Sequence, residues 1–133
     1  MELSKGGITM GYYSEVGVVI REESYQDIME KACGATDAKL KDDIMYLITS
    51  ATDSYVVSHN FGYPEQEDLY RILHWKWVKW YIPEFHEVVW FMDKLKECDD
   101  YQFIRLGEDI DDTEQDSKGD IDMLYINRSI DIP

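Results

Sequence analysis

A dense run of acidic residues near the C-terminus is the most chemically distinctive feature of this sequence. Residues 108–122 contain eight carboxylates and one base, Lys118. The acids are Glu108, Asp109, Asp111, Asp112, Glu114, Asp116, Asp120 and Asp122. In an extended chain, alternate side chains stand roughly 7 Å apart, because each residue advances a strand by about 3.3 Å. Carboxylates at that spacing can imitate nucleic-acid phosphates, where one strand rises about 3.4 Å per nucleotide. The eight acids are therefore candidate contacts for a basic partner.

Two other interpretations of the acidic run remain open. It is also typical of a solvated hairpin loop in an acidic protein. A calcium loop of the EF-hand type, counted from Asp109, requires glycine at its sixth position and glutamate at its twelfth. Those positions are Glu114 and Asp120. The pattern indicates no specific metal site, and we expect neither a metal nor another cofactor.

The aromatic run at residues 74–81 is a second candidate surface. A central strand packed on both faces explains it, and so does an exposed patch that binds protein. In the second case Trp80 and Tyr81 are the candidate partner-binding anchors, because Trp and Tyr are frequent hot spots in interfaces. Stacking on nucleic-acid bases is disfavoured, because only Lys76 and Lys79 supply positive charge there.

The sequence contains no recognisable catalytic motif. None of the three histidines lies in a nucleophile or zinc motif. They are His59, His74 and His86. Cys98 precedes Asp99 and Asp100, whose negative charge disfavours a reactive thiolate. We therefore expect no catalytic residues and no enzymatic activity.

The composition is that of a folded, strongly acidic domain. The chain has 133 residues, of which 44% are hydrophobic, so we expect a single domain over residues 1–133. Its net charge of −15 divides into −8 for residues 1–68, +1 for residues 69–98 and −8 for residues 99–133. Such an excess disfavours direct contact with nucleic acid or an anionic membrane.

Cysteine usage and hydropathy bear on the compartment. Cys33 and Cys98 are the only cysteines and show no disulfide-framework or metal spacing. The first residues lack a basic start followed by an apolar run, and no stretch approaches the roughly 18 apolar residues of a membrane span. We expect a soluble protein of the reducing cytoplasm.

Hydrophobic periodicity predicts alternating strands and helices. Residues 9–21 have the alternation of a strand, and residues 24–34 and 37–51 have helical spacing. Residues 52–68 are ambiguous between strand and loop. A strand at residues 73–81 ends before Pro83, and a helix with apolar positions from Phe85 to Leu95 follows. Residues 101–106 and 123–130 are predicted strands on either side of a long polar loop.

These elements predict an α+β fold. Two final strands joined by a polar loop are most simply an antiparallel hairpin. The expected arrangement is a mainly antiparallel sheet of about four strands with helices on one side. That arrangement is ferredoxin-like in character.

Four stretches resemble a loosely defined group of small acidic proteins carried by bacteriophages and mobile elements. They are residues 10–16, 75–81, 103–109 and 127–130. The resemblance implies a phage or prophage setting in a bacterial host, where small acidic proteins resemble anti-CRISPR and other anti-defence inhibitors that occupy a nucleic-acid channel. It carries over no functional residues.

The leading functional hypothesis is a non-enzymatic inhibitor. Its acidic run would act as a nucleic-acid mimic against a basic nucleic-acid-handling host protein, most plausibly a CRISPR effector. The alternative is a structural or assembly protein that associates with a second copy, for example as a homodimer, through its aromatic strand.

Overall fold

The computed structural model describes residues 12–59, 68–127 and 129–133, which form three helices and seven strands. In chain order these are β1 (Ser14–Arg21), α1 (Glu22–Cys33), α2 (Ala38–Thr49), β2 (Asp53–His59), β3 (Asp68–Val78), α3 (His86–Lys96), β4 (Tyr101–Leu106), β5 (Thr113–Lys118), β6 (Tyr125–Ile126) and β7 (Ile130–Asp131).

Five of the strands form one antiparallel sheet. Its order is β2-β3-β1-β4-β5, and β6 and β7 form a separate two-stranded hairpin. The prediction of an α+β fold with a mainly antiparallel sheet is confirmed, with five strands rather than about four. Its ferredoxin-like character stays a prediction, because β5 adds an edge strand and two helices stand between β1 and β2.

The two faces of the sheet are covered by different parts of the chain. Along β1, Val16, Val18 and Ile20 pack into a core with the three helices. Val19, between them, joins a second core with the C-terminal segment, which contributes Leu124 and Ile130. Helices on one side of the sheet were predicted. The covering of its other face was not, because β6 and β7 are too short to show a period.

The largest correction concerns the final hairpin. Residues 107–122, predicted to be a loop, contain β5, which pairs with β4 from Leu106↔Thr113 to Tyr101↔Lys118. Within the described part of residues 123–130, no residue pairs with β4, and Tyr125 and Ile126 pair instead with β7. The sequence Thr-Glu-Gln-Asp-Ser-Lys of β5 has no apolar residue and all six positions are exposed, so hydrophobic alternation could not reveal it.

Other boundaries also differ from the prediction. The ambiguous segment contains β2, while residues 60–67, and residues 9–11 of the first predicted strand, lie outside the described part of the chain. The helix predicted from Ser24 begins at Glu22, directly after β1. Asp37 caps α2 by accepting a hydrogen bond from the Leu40 N–H. The strand predicted over residues 73–81 starts earlier and ends at Val78.

Gly17 allows the C-terminal segment to lie against β1. A Cβ atom at this position would stand 3.1 Å from Ile130 Cγ2 and 3.2 Å from Leu124 Cδ1. We expect Gly17→Val to lower the free energy of unfolding by about 1–3 kcal/mol, because its methyl groups would displace that segment. Urea unfolding measures the change.

Gly34→Ala is the matched control for this prediction. Gly34 caps α1 with φ −88°, and an added Cβ there meets Glu30 O at 3.5 Å, an ordinary contact. The alanine variant should keep the wild-type stability within about 0.5 kcal/mol. Equal stability of both variants would show that the segment does not pack on Gly17.

Candidate acidic interface on the β4–β5 hairpin

The predicted acids lie along one edge of the sheet. β5 is the edge strand beside β4, Glu108 to Asp112 form the turn that precedes it, and Asp120 and Asp122 follow it. At about 3.3 Å per residue, the six residues of β5 separate the two ends by roughly 20 Å. The hairpin thus presents carboxylates at both ends and along an extended strand.

Arg105 neutralises two of these acids. Its guanidinium forms hydrogen-bonded ion pairs with Asp112 and Glu114 and also donates to Ser14 Oγ at 3.1 Å. The Arg105 side chain is only 11% exposed. Because it reaches from β4 to the turn and to β5, it fixes the position of both segments.

The shifted pKa values reflect this network. The hydrogen bond from Arg105 lowers the pKa of Asp112, although partial burial opposes the shift. Burial and a hydrogen bond to Asp116 raise the pKa of Tyr101 to about 12. Asp116 is the acceptor, with Tyr101 Oη 2.7 Å from its Oδ2. Asp112, Glu114 and Asp116 are thus engaged within the chain.

Tyr12 and Tyr13 tie the turn to the start of β1. The Tyr12 hydroxyl donates to Asp112 Oδ2 at 2.6 Å and accepts from the Asp109 N–H at 3.2 Å. The Tyr13 N–H donates to Glu108 Oε2 at 2.5 Å. Gly107 permits this approach, because a Cβ there would overlap Asp112 and the Tyr12 hydroxyl. The turn is therefore held in one conformation.

The remaining four acids have no side-chain partner among residues 12–59, 68–127 and 129–133. Within the described part of the chain, no hydrogen bond or ion pair involves the side chains of Asp109, Asp111, Asp120 and Asp122, and all four residues are exposed. The structure therefore divides the predicted set. Four acids build the hairpin, and four are available to a partner.

The predicted aromatic anchors are largely buried and line a cleft of about 690 Å³. Trp80 and Tyr81 are 6% and 7% exposed. Trp80 packs against Trp75, Phe91 and Phe103 in the helix-side core. Their burial disfavours both residues as surface anchors, and their part in binding a partner stays a prediction. The exposed aromatic residue of the run is Trp77, which sequence periodicity could not separate from its neighbours.

A buried histidine between two carboxylates is the site that sequence reasoning missed. His74 Nε2 lies 2.7 Å from Glu15 Oε2, and its Nδ1 lies 3.0 Å from Asp53 Oδ2. Glu15 also accepts a hydrogen bond from the Ile130 N–H. These residues line a cleft of about 910 Å³ beside the C-terminal segment. The cluster connects β1, β2, β3 and β7. The sequence did not reveal it because its residues lie 21 to 115 positions apart in the chain.

Two further groups bear on chemistry. Asp43, His86 and Glu87 have ligand atoms within 4.8 Å of one another, but His86 Nε2 is already 2.7 Å from Asp43 Oδ2 in a contact between α2 and α3. Burial raises the pKa of the Cys98 thiol, with a further contribution from Asp100. The thiolate is therefore disfavoured mainly by burial, with neighbouring charge second.

Acid should lower the free energy of unfolding by protonating the acidic members of two partly buried ion pairs, Arg105–Asp112 and Arg71–Glu22. Arg105 lowers the pKa of Asp112 below its ordinary 3.8, and Arg71 lowers that of Glu22 below its ordinary 4.5. Each depressed pKa gives stability that is complete above the ordinary value and is lost as pH falls through the folded value. At high salt, which screens overall repulsion, urea unfolding should show stability falling from pH 5 to about pH 2.

Arg71→Met provides the control for this pH dependence. It removes the hydrogen bonds that lower the pKa of Glu22. The variant should lose less stability than the wild type over the same pH interval. Identical pH slopes for the two proteins would contradict the assignment.

None of the three helices in the described ranges has the length and apolar character needed to cross a membrane.

Comparison of the chain with protein-family models, curated proteins and solved structures finds no match.

Proposed function

We propose that the chain is a non-enzymatic inhibitor that places the acidic edge of its β4–β5 hairpin in the basic groove of a nucleic-acid-handling protein. A CRISPR effector in a bacterial host is the target class implied by the sequence resemblance. The observation that carries the proposal is a set of four exposed carboxylates at the two ends of β5 that have no partner within the described residues, Asp109, Asp111, Asp120 and Asp122.

The pairing of β5 with β4 favours a preformed binding surface over a flexible, solvated loop. A flexible loop would lose conformational freedom when it binds, whereas here β5 is hydrogen-bonded along its length to β4. Arg105 and the two tyrosines hold the turn in place. Carboxylates held at the two ends of a paired strand can match cations of a partner at low entropic cost.

Self-association through the aromatic strand has less support. β3 is paired on both sides, with β1 and β2, so its backbone cannot add another strand. His74, Trp75, Trp80 and Tyr81 are buried. Of that run, Trp77 offers the largest exposed apolar surface.

Competition with nucleic acid tests the proposed function. The purified chain is immobilised, bacterial lysate is applied at low and at high salt, and retained proteins are identified by mass spectrometry. The expected result is a basic nucleic-acid-binding protein that is retained at low salt, released at high salt, and displaced from labelled DNA or RNA by the free chain. A retained protein that binds its nucleic acid and this chain simultaneously would overturn the proposal.

A further inference from the structure

A stacked aromatic pair, the half-buried Tyr13 and the exposed Trp77, is joined to the acidic turn. We propose that this pair completes the acidic edge into a site that selects arginine side chains of the partner. In this site a guanidinium stacks on Trp77 while neighbouring carboxylates of the turn pair with the partner's cations. The inference rests on the proposed function and names the side chain that the same surface recognises.

Ring stacking and hydrogen bonds join the pair to the turn. The rings of Tyr13 and Trp77 are stacked, with centroids 5.1 Å apart and an interplanar angle of 17°. The backbone N–H of Tyr13 donates to Glu108, the first residue of the acidic turn. Trp77 is 70% exposed at the end of β3, so one residue, Tyr13, connects an open indole surface to the carboxylates.

The chemistry of the pair suits a cation. Lys79 Nζ lies 5.4 Å from the centroid of the Tyr13 ring, a cation–π contact within the chain, so the 70% exposed ring of Trp77 is the one offered to a partner's cation. Arginine matches the site better than lysine, because its planar guanidinium stacks on an aromatic face and binds carboxylates in a bidentate manner. Ile110, 96% exposed in the same turn, offers an apolar contact for the aliphatic part of that side chain.

Charge complementarity favours a basic partner over a second copy of the chain. Asp109 and Asp111 lie in the turn whose first residue, Glu108, accepts from the Tyr13 N–H, and they are unpaired within the described residues. A second copy would bring its own net charge of −15 to this surface. Repulsion between the two copies would oppose that contact.

Oligoarginine and oligolysine of equal length are the probes for the test. Their affinities are measured for the wild type, Trp77→Leu and Tyr46→Leu. Tyr46 is the matched control, because it is 74% exposed on α2, away from the hairpin. We expect Trp77→Leu to weaken oligoarginine binding about fivefold and oligolysine binding less than about twofold. Tyr46→Leu should change neither affinity.

Equal effects of Trp77→Leu on the two peptides, or no effect on either, would overturn the inference. A concentration-dependent dimer in ultracentrifugation that disappears in Trp77→Leu would also overturn it, because a second copy would then cover the pair. A variant with Asp109, Asp111, Asp120 and Asp122 changed to asparagine separates this inference from the proposed function. If that variant binds both peptides normally, the proposed function fails. If it loses both while Trp77→Leu behaves as wild type, only the arginine site fails.

Discussion

Replacement of Asp109, Asp111, Asp120 and Asp122 with asparagine is expected to weaken binding of the basic partner about 100-fold. Each interfacial charge pair contributes roughly 0.5–1 kcal/mol when partly exposed, so four pairs contribute about 2–4 kcal/mol. Every 1.4 kcal/mol is about a tenfold change in affinity. Titration at low salt, with oligoarginine or with the captured protein, measures the loss.

The fold of this variant should be unchanged. None of the four side chains has a partner within the described residues, so asparagine removes charge without breaking a contact. It also reduces repulsion at the edge of a strongly acidic protein. The thermal midpoint should therefore stay the same or rise slightly, and the affinity loss cannot then be ascribed to unfolding.

Four acids on the helical layer supply the matched control. Glu23, Glu30, Asp42 and Asp93 are exposed, and no ion pair or side-chain hydrogen bond involves them within the described ranges. Their conversion to the corresponding amides changes the net charge by the same amount. Affinity should fall less than about fivefold, through weaker long-range attraction alone. Equal losses in the two variants would mean that overall charge, and not the hairpin, recruits the partner.

Arg105→Met should lower the stability of the fold substantially. The substitution leaves Asp112 and Glu114 side by side without their common cation and removes the contact with Ser14. Loss of one partner from a buried ion pair costs about 3–5 kcal/mol, but the exposure of the two acids reduces this to about 2 kcal/mol. For a chain of this length the thermal midpoint should fall by about 7 °C.

Hydrogen exchange distinguishes a local effect from a global one. In Arg105→Met the amides of β5 and of residues 107–112 should exchange faster than the rest of the sheet, because Arg105 is their principal side-chain link to β4. Arg71→Met, which breaks the pair with Glu22 on α1, should leave exchange in the hairpin unchanged relative to the sheet. Uniform acceleration in both variants would contradict the role given to Arg105.

Local pattern determined most of the secondary structure. In β1, Val16, Val18 and Ile20 alternate, and in α3, Val88, Met92 and Leu95 recur at helical spacing. The α3 pattern matches its one face buried in the helix-side core, and the β1 pattern matches the face that packs into that same core, although Val19 on its other face packs into the second core. The α+β class and the acidic edge's composition were therefore accessible from the sequence alone.

Only the tertiary structure decided which acids are free. Asp111 and Asp112 are adjacent and chemically identical, but Asp112 faces Arg105 and Tyr12 while Asp111 has no partner within the described residues. The cation and the hydroxyl come from β4 and from the start of β1, which are brought together by sheet pairing. No local pattern encodes such distant contacts.

The same reason applies to the aromatic run and to His74. The sequence determined that aromatic side chains cluster at residues 74–81, but only the tertiary structure decided that Trp77 is exposed and Trp80 is buried. His74 meets Glu15 and Asp53 because β3 lies between β1 and β2. Composition and periodicity report the chemistry available to a chain, and burial and pairing across strands decide where that chemistry is presented.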